Sequence, residues 1–147
     1  MLQGVIFVAI NVTNLERSME FYGKLGFDVG EPFEFSGEWT TLLDMPPNAR
    51  GKASIMAMEG SPTTLEVVEW LEPRTEGKPY PTHNHCGITR VHLKTTDIWA
   101  DYERLKAAGV NFLSEPQEFP GGVNESGVTR WVQFRDPDGS LLELLEA

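Results

Sequence analysis

The feature that most constrains this chain is that it is written twice. Phe7 and Arg90, Asn14 and Asp97, Tyr22 and Leu105, and Gly26 and Gly109 are each 83 residues apart. The closing segments TTLEVVEW and SLLELLEA match as well, with Glu66 and Glu143 77 residues apart because the second half has a shorter middle. So constant a register implies one supersecondary unit made twice. Each copy then has a sheet with one face under its own helix and another that needs a partner.

Within each copy the order is strand, helix, then strands. VIFVAINV has the composition of a strand, Thr13-Asn14 offers a cap, and LERSMEFYGKLGF repeats its apolar residues at helical spacing until Gly26. Short strands are expected around Phe27–Val29, Glu38–Leu43, Ala53–Met58 and Thr64–Trp70. In the second copy a strand over Ile88–Thr95 precedes a cap at Thr96-Asp97 and the helix IWADYERLKAAG. Further strands are expected near Val110–Phe112, Thr129–Phe134 and Ser140–Leu145. The fold class is therefore α+β: two tandem βαβββ modules whose mostly antiparallel strands curve around a central cavity. The first module takes residues 1–72, a Pro- and Gly-rich linker residues 73–87, and the second module residues 88–147.

Strand parity assigns the faces. Val8, Ile10, Val12, Val91 and Leu93 are aliphatic and suit the side under a helix. Opposite them stand Phe7, Ala9 and Asn11, Val68 and Trp70, Trp131 and Gln133, and the basic-type series Arg90, His92 and Lys94. With Trp39 as a further candidate, three of the four tryptophans are expected on strands. Such rings suit an aromatic or polycyclic ligand, and they equally fill cores and dimer interfaces.

Charge removes whole classes of partner. A formal net charge of −10 opposes binding to nucleic acid or to an anionic membrane surface. The N-terminal apolar run lacks a basic flank and is too short to span a bilayer, so a soluble, cytoplasmic protein is expected. The single Cys86 permits no internal disulfide. His83, Asn84, His85 and Cys86 hint at zinc but lack a fourth nearby ligand, which favours a solvated linker. FPGGVNESGV, residues 119–128, suits either a flap over a pocket or an ordinary hairpin, and no helix follows to make it a phosphate cradle.

The paired modules, the phrase NLERSMEFYGKLGF, the helix YERLKAAGV and the ending FRDPDGSLLELLE resemble the vicinal oxygen chelate superfamily. That superfamily groups glyoxalase I, extradiol dioxygenases, epimerases, fosfomycin-modifying enzymes and bleomycin-resistance proteins. The resemblance implies a glyoxalase-like fold, a small-molecule ligand and self-association as a homodimer, and the tryptophan-rich faces suit a ligand of aromatic or polyketide-like type. Its metal-using members hold a divalent ion with one side chain from the first strand and one from the last strand of each module. By position these are Phe7, Glu66, Arg90 and Glu143. Phe has no donor atom and Arg keeps its proton, so no cofactor is expected. The alternative is a divalent metal ion on Glu66, Glu143 and His92.

Arg90 is then expected to supply the missing positive charge and to bridge Glu66 and Glu143 through its planar fork. The rival reading leaves both acids as ordinary partly solvated residues and pairs Arg90 elsewhere. Functionally, a metal-independent isomerase, lyase or cyclase would use Glu66, Glu143, Arg90 and His92 catalytically. Phe7, Trp39, Trp70, Trp131, Gln133 and Lys94 would then bind the ligand. The alternatives are a drug- or metabolite-sequestering protein and a metal-dependent lyase or dioxygenase with altered ligands.

Overall fold

Each long helix starts where the sequence supplies a cap. In a computed structural model that describes residues 1–120 and 127–146, the side chain of Pro120 excepted, Asn14 Oδ1 accepts the Arg17 N–H at 2.9 Å and Asp97 Oδ1 accepts that of Ala100 at 3.0 Å. The helices so begun are α1 (Leu15–Lys24) and α3 (Ile98–Ala107). Gly26 and Gly109, at φ of 99° and 89°, end them in the left-handed region that other residues avoid.

The first unit, residues 1–77, contains β1 (Phe7–Asn11), α1, β2 (Asp28–Val29), β3 (Phe33–Ser36), a short helix α2 (Glu38–Leu42), β4 (Arg50–Ala57) and β5 (Thr64–Glu72). The second unit, from Lys78 onward, contains β6 (Val91–Lys94), α3, β7 (Gln117–Pro120), β8 (Val128–Arg135) and β9 (Leu141–Glu146). Their sheets run β1-β5-β4-β2, with β3 also on β4, and β6-β9-β8-β7. In both, the first strand pairs parallel with the last and the remaining pairs are antiparallel. The α+β class expected from the repeat, with one helix laid on a mostly antiparallel sheet in each copy, is the one observed.

A second device repeats in both units. Glu69 on β5 accepts the Leu15 N–H through Oε2 at 2.7 Å, and Glu146 on β9 accepts the Ile98 N–H at 2.9 Å. These are the first amides of α1 and α3, which have no partner inside the helix. Each acid also meets a cation from the strand before it: Lys52 lies 3.2 Å from Glu69, and Arg130 lies 2.6 Å from Glu146. The helix is thus fastened to its sheet by a charge-assisted bond at its positive end. Apolar burial completes the docking, through Val12, Leu15, Tyr22, Met56 and Val67 in one unit and Ile98, Leu105, Val132, Phe134 and Leu142 in the other.

Several local expectations fail for identifiable reasons. Glu38–Leu43 is helical instead of extended: Gly37 at φ 73° turns the chain, and the hydroxyls of Thr40 and Thr41 donate back to the carbonyls of Gly37 and Glu38 at 2.8 and 2.7 Å. Val110–Phe112 contributes only an isolated bridge from Phe112 to Phe134. The strand expected over Ile88–Thr95 narrows to Val91–Lys94, with Arg90 just ahead of it. Strands β3 and β7 were not anticipated. The proposed flap falls, over residues 121–126, outside the described residues. Among the described residues no helix is long and apolar enough to cross a membrane.

Two stability predictions follow from these fastenings. Glu146→Ala removes the acceptor from the Ile98 amide and the partner from Arg130, and is expected to cost about 1–3 kcal/mol in urea denaturation. Glu118→Ala, which removes only a surface partner of Arg130 with its side chain 63% exposed, should cost under about 1 kcal/mol. A pair of equal losses would contradict the fastening.

Asp101 tests the same unit by pH. Burial pushes its carboxyl up, but bonds from the Thr95 hydroxyl at 2.6 Å and from Arg104 outweigh it and hold the group below its ordinary value of 3.8. The stabilisation is therefore complete above the ordinary value and is lost as pH falls through the lower folded one. The stability gap between the parent and Asp101→Asn should be widest above about pH 4 and close on further acidification. A gap independent of pH would exclude the carboxylate as its source.

Candidate functional site

In the first unit the face of the sheet away from α1 is built by alternation. Along β5, Thr64, Glu66, Val68 and Trp70 share it, and register sets Ala9 and Ile55 beside Glu66. Gly51 stands opposite Trp70 on one side and Phe35 on the other. A Cβ at Gly51 would sit 2.6 Å from Phe35 Cζ, so the ring occupies space that a side chain at position 51 would take. The ring meets Trp70 edge-on, with centroids 5.3 Å apart.

Over this face lies a cavity of about 730 Å³, lined by Phe33 and Phe35 of β3, Trp39, Leu42 and Leu43 from α2 and the residue after it, and by Glu34, Ser36, Arg50 and Glu66. Its walls are aromatic and aliphatic, and its charges are few. Trp39 is 71% exposed at its rim. The register shift at Arg50/Gly51 displaces Arg50 so that it also borders a smaller, polar pocket of about 280 Å³ with Trp70, Glu69 and Arg74.

The second unit carries a different group on the corresponding face. Where the first unit sets Ala9 and Ile55 beside Glu66, the second sets His92 and Gln133 beside Glu143. Glu143, its side chain only 6% exposed, has Oε1 2.8 Å from His92 Nδ1 and accepts from Gln133 Nε2 through Oε2 at 2.9 Å. Arg90 Nε donates to His92 Nε2 at 3.0 Å and lies 3.8 Å from Glu143 Oε2. Its Nη1 also lies 3.1 Å from His83 Nδ1. Arginine nitrogen is a donor only, so His92 Nε2 is the acceptor and its Nδ1 carries the proton toward Glu143.

Of the sequence candidates, the structure gathers Arg90, His92, Glu143 and Gln133 into one bonded cluster. Lys94 and Trp131 are on the same sheet face, level with Leu145 between them. Glu66 and Trp39 share the first unit's cavity. Phe7 is exposed at the edge of that face, opposite Thr64, and Trp70 supports Phe35 instead of lining the large cavity. Trp39 is on a helix, not a strand. Phe33, Phe35, Leu42, Leu43 and Arg50 were missed. The alternation in FEFS was the available signal for the two phenylalanines, and Gly51 inside a strand was the available signal for the irregularity beside Arg50. In the linker, His85 stacks on Tyr80 at 4.2 Å and Cys86 is exposed.

The sequence profile of the Glyoxalase/Bleomycin resistance protein/Dioxygenase superfamily matches residues 4–144. The chain belongs to that superfamily. A curated relative is YetH of Bacillus subtilis (strain 168), 25% identical over 99% of this chain and 100% of its own. Among solved structures, a glyoxalase family protein from Bacillus cereus superposes with a TM-score of 0.84 at 21% identity, covering 99% of this chain and 95% of that one. TnmS3, an antibiotic-binding protein from Streptomyces sp. CB03234, gives 0.65 at 24% identity, covering 99% and 96%. These two likenesses are of fold.

The superfamily's metal raises a question of fit that the side chains answer. At the first-strand positions stand Phe7, without a lone pair, and Arg90, which has only N–H groups to offer. Both ring nitrogens of His92 are taken, by Glu143 and by Arg90. Among the described residues no three His, Cys, Asp or Glu side chains gather as a metal site would need. Two donors beside a guanidinium do not fit a transition metal's requirements. Protein equilibrated with zinc, nickel or manganese and then desalted should retain well under one ion per chain by elemental analysis. Stoichiometric retention lost in Glu143→Gln would reverse this assignment.

Proposed function

We propose that the protein binds an aromatic small molecule in the cavity of the first unit, without a metal ion. The supporting observation is the cavity itself: aromatic and leucine side chains border about 730 Å³ open to solvent on one side, with Glu34, Glu66 and Arg50 as its charged groups. Apolar walls with a few charged groups suit a flat, polycyclic ligand carrying one or two polar substituents. The antibiotic-binding function of TnmS3, a protein of similar fold, agrees with this reading.

A second reading is favoured by one contact, the 2.8 Å approach of His92 Nδ1 to Glu143 Oε1. A carboxylate behind a histidine is an arrangement used for proton transfer. In this reading the protein is a metal-independent isomerase or lyase in which a bound substrate displaces Arg90 from His92 Nε2, so that His92 moves the proton while Glu143 orients its ring.

Anilinonaphthalenesulfonate tests the cavity directly. Its fluorescence should rise on binding, and Trp39→Ala should weaken binding about tenfold, the value of one aromatic contact of ~1–1.5 kcal/mol. Unaltered affinity in both Trp39→Ala and Phe35→Ala would remove the cavity as the binding site. Aromatic compounds recovered unchanged after long incubation support retention, and conversion abolished by Glu143→Gln supports the second reading.

A further inference from the structure

Seven arginines stand in this acidic chain, and five of them donate hydrogen bonds at ordinary distance. Arg17 donates to Thr13, Arg90 to His92, Arg104 to Asp101, Arg130 to Glu146 and Arg135 to the Gly139 carbonyl. The other two are Arg50 and Arg74. Among the described residues the Arg74 side chain has no partner, and Arg50 only approaches Glu72 at 3.7 Å, beyond hydrogen-bond reach and with both side chains more than half exposed. These two border one pocket, the polar one of about 280 Å³ in the first unit.

Local structure holds both of them there. After β5 the chain turns back, so that Arg74 stands opposite Leu71 in an antiparallel bridge. Thr75 fastens the turn to both backbone groups of Trp70: its N–H donates to the Trp70 carbonyl at 3.1 Å, and its hydroxyl oxygen accepts the Trp70 N–H at 2.9 Å. That hydroxyl borders the pocket and still has its proton to donate. Arg50 arrives from β4 through the register shift at Arg50/Gly51. Half-buried Trp70 and Leu71 supply the apolar part of the wall.

One acid, Glu69, also borders the pocket. Its Oε2 accepts the Leu15 amide at 2.7 Å and lies 3.2 Å from Lys52, so its charge is largely offset from behind. With the bonded neighbours counted, Arg17, Arg50, Lys52 and Arg74 stand against Glu16, Glu69 and Glu72, a local excess of positive charge in a chain of net charge −10. A carboxylate has two oxygens and fills a single guanidinium fork. Two unspent forks and a hydroxyl call for more acceptors, and a phosphoryl group brings three oxygens with about −1.5 to −2 charge near pH 7. The volume is just under the ~300 Å³ at which drug-sized sites begin, which admits a phosphoryl group with a few carbon atoms beside it.

We propose that this pocket binds a phosphoryl dianion, as inorganic phosphate or as the head of a small phosphate monoester. The oxygens lie between Arg50 and Arg74 with the Thr75 hydroxyl as a further donor, and the carbon portion of an ester lies against Trp70 and Leu71. Arg50 is the one residue that borders both this pocket and the aromatic cavity. The proposal does not depend on what the cavity holds.

Glycerol 3-phosphate, inorganic phosphate and acetate form the test, by calorimetry and by NMR of the full chain with its indole N–H signals assigned. Glycerol 3-phosphate should bind at least about tenfold more tightly than acetate. Arg74→Gln, an exposed change outside the cavity, should weaken glycerol 3-phosphate about tenfold, and Arg74→Lys, which keeps the charge without the fork, should recover part of that loss. The Trp70 indole should shift and that of Trp39 should not. Inorganic phosphate bound as tightly as the ester supports the site with the free anion as its ligand, and weaker binding of inorganic phosphate supports it with the ester.

No binding of either phosphate compound, acetate bound equally well, or unchanged affinity in Arg74→Gln would overturn the proposal. So would a shift confined to the Trp39 indole, which would move the anion to the aromatic cavity and leave that reading standing.

Discussion

In each repeat, a carboxylate on the last strand receives the first amide of the helix. Glu69 does this for Leu15 and Glu146 for Ile98. The contact needs the last strand to lie beside the first, because the helix begins only a few residues after the first strand ends. Parallel pairing of β1 with β5 and of β6 with β9 provides that neighbour, across a connection of the whole module. Once the last strand is placed, alternation follows. Glu69 and Glu146 turn to the helix, and Glu66 and Glu143, three residues earlier on each strand, turn to the other face.

From that shared frame the two units diverge in chemistry. Ala9 and Ile55 flank Glu66, whereas His92 and Gln133 flank Glu143 at the matching register. The first unit adds α2 and β3 and so gains an aromatic-walled cavity. The second adds hydrogen-bonding side chains and so gains a polar cluster. Neither change touches the helix side, where apolar packing and the amide–carboxylate bond are kept in both. One fold can host unlike sites because the open face is free of the duties that the helix face performs.

Arg90 shows how a substitution changes what a position can do. At a place where metal-using relatives have a ligand with a lone pair, it brings a fixed charge and donors only. Its Nε is satisfied by His92, and the buried Glu143 is satisfied by His92 and Gln133 as well as by the nearby guanidinium. Of the bridge expected from Arg90 to Glu66 and Glu143, the contact with Glu143 is a long one of 3.8 Å, with His92 standing between as the closer partner of both.

The sequence by itself determined the repeat, the two capped helices, the α+β class and the correspondence between the strands that open and close each module. These rest on short-range periodicity, on caps three residues from the amides they satisfy, and on a register held over the whole chain. Strand parity also named Arg90, His92 and Gln133, and the resemblance to the superfamily named Glu66 and Glu143. Only the tertiary structure decided that Glu38–Leu43 coils into a helix, that Phe35 lies in the space left by Gly51, and that His92 comes between Arg90 and Glu143. Those outcomes depend on side chains distant in the chain competing for the same space and the same hydrogen bonds, and local pattern contains no record of that competition.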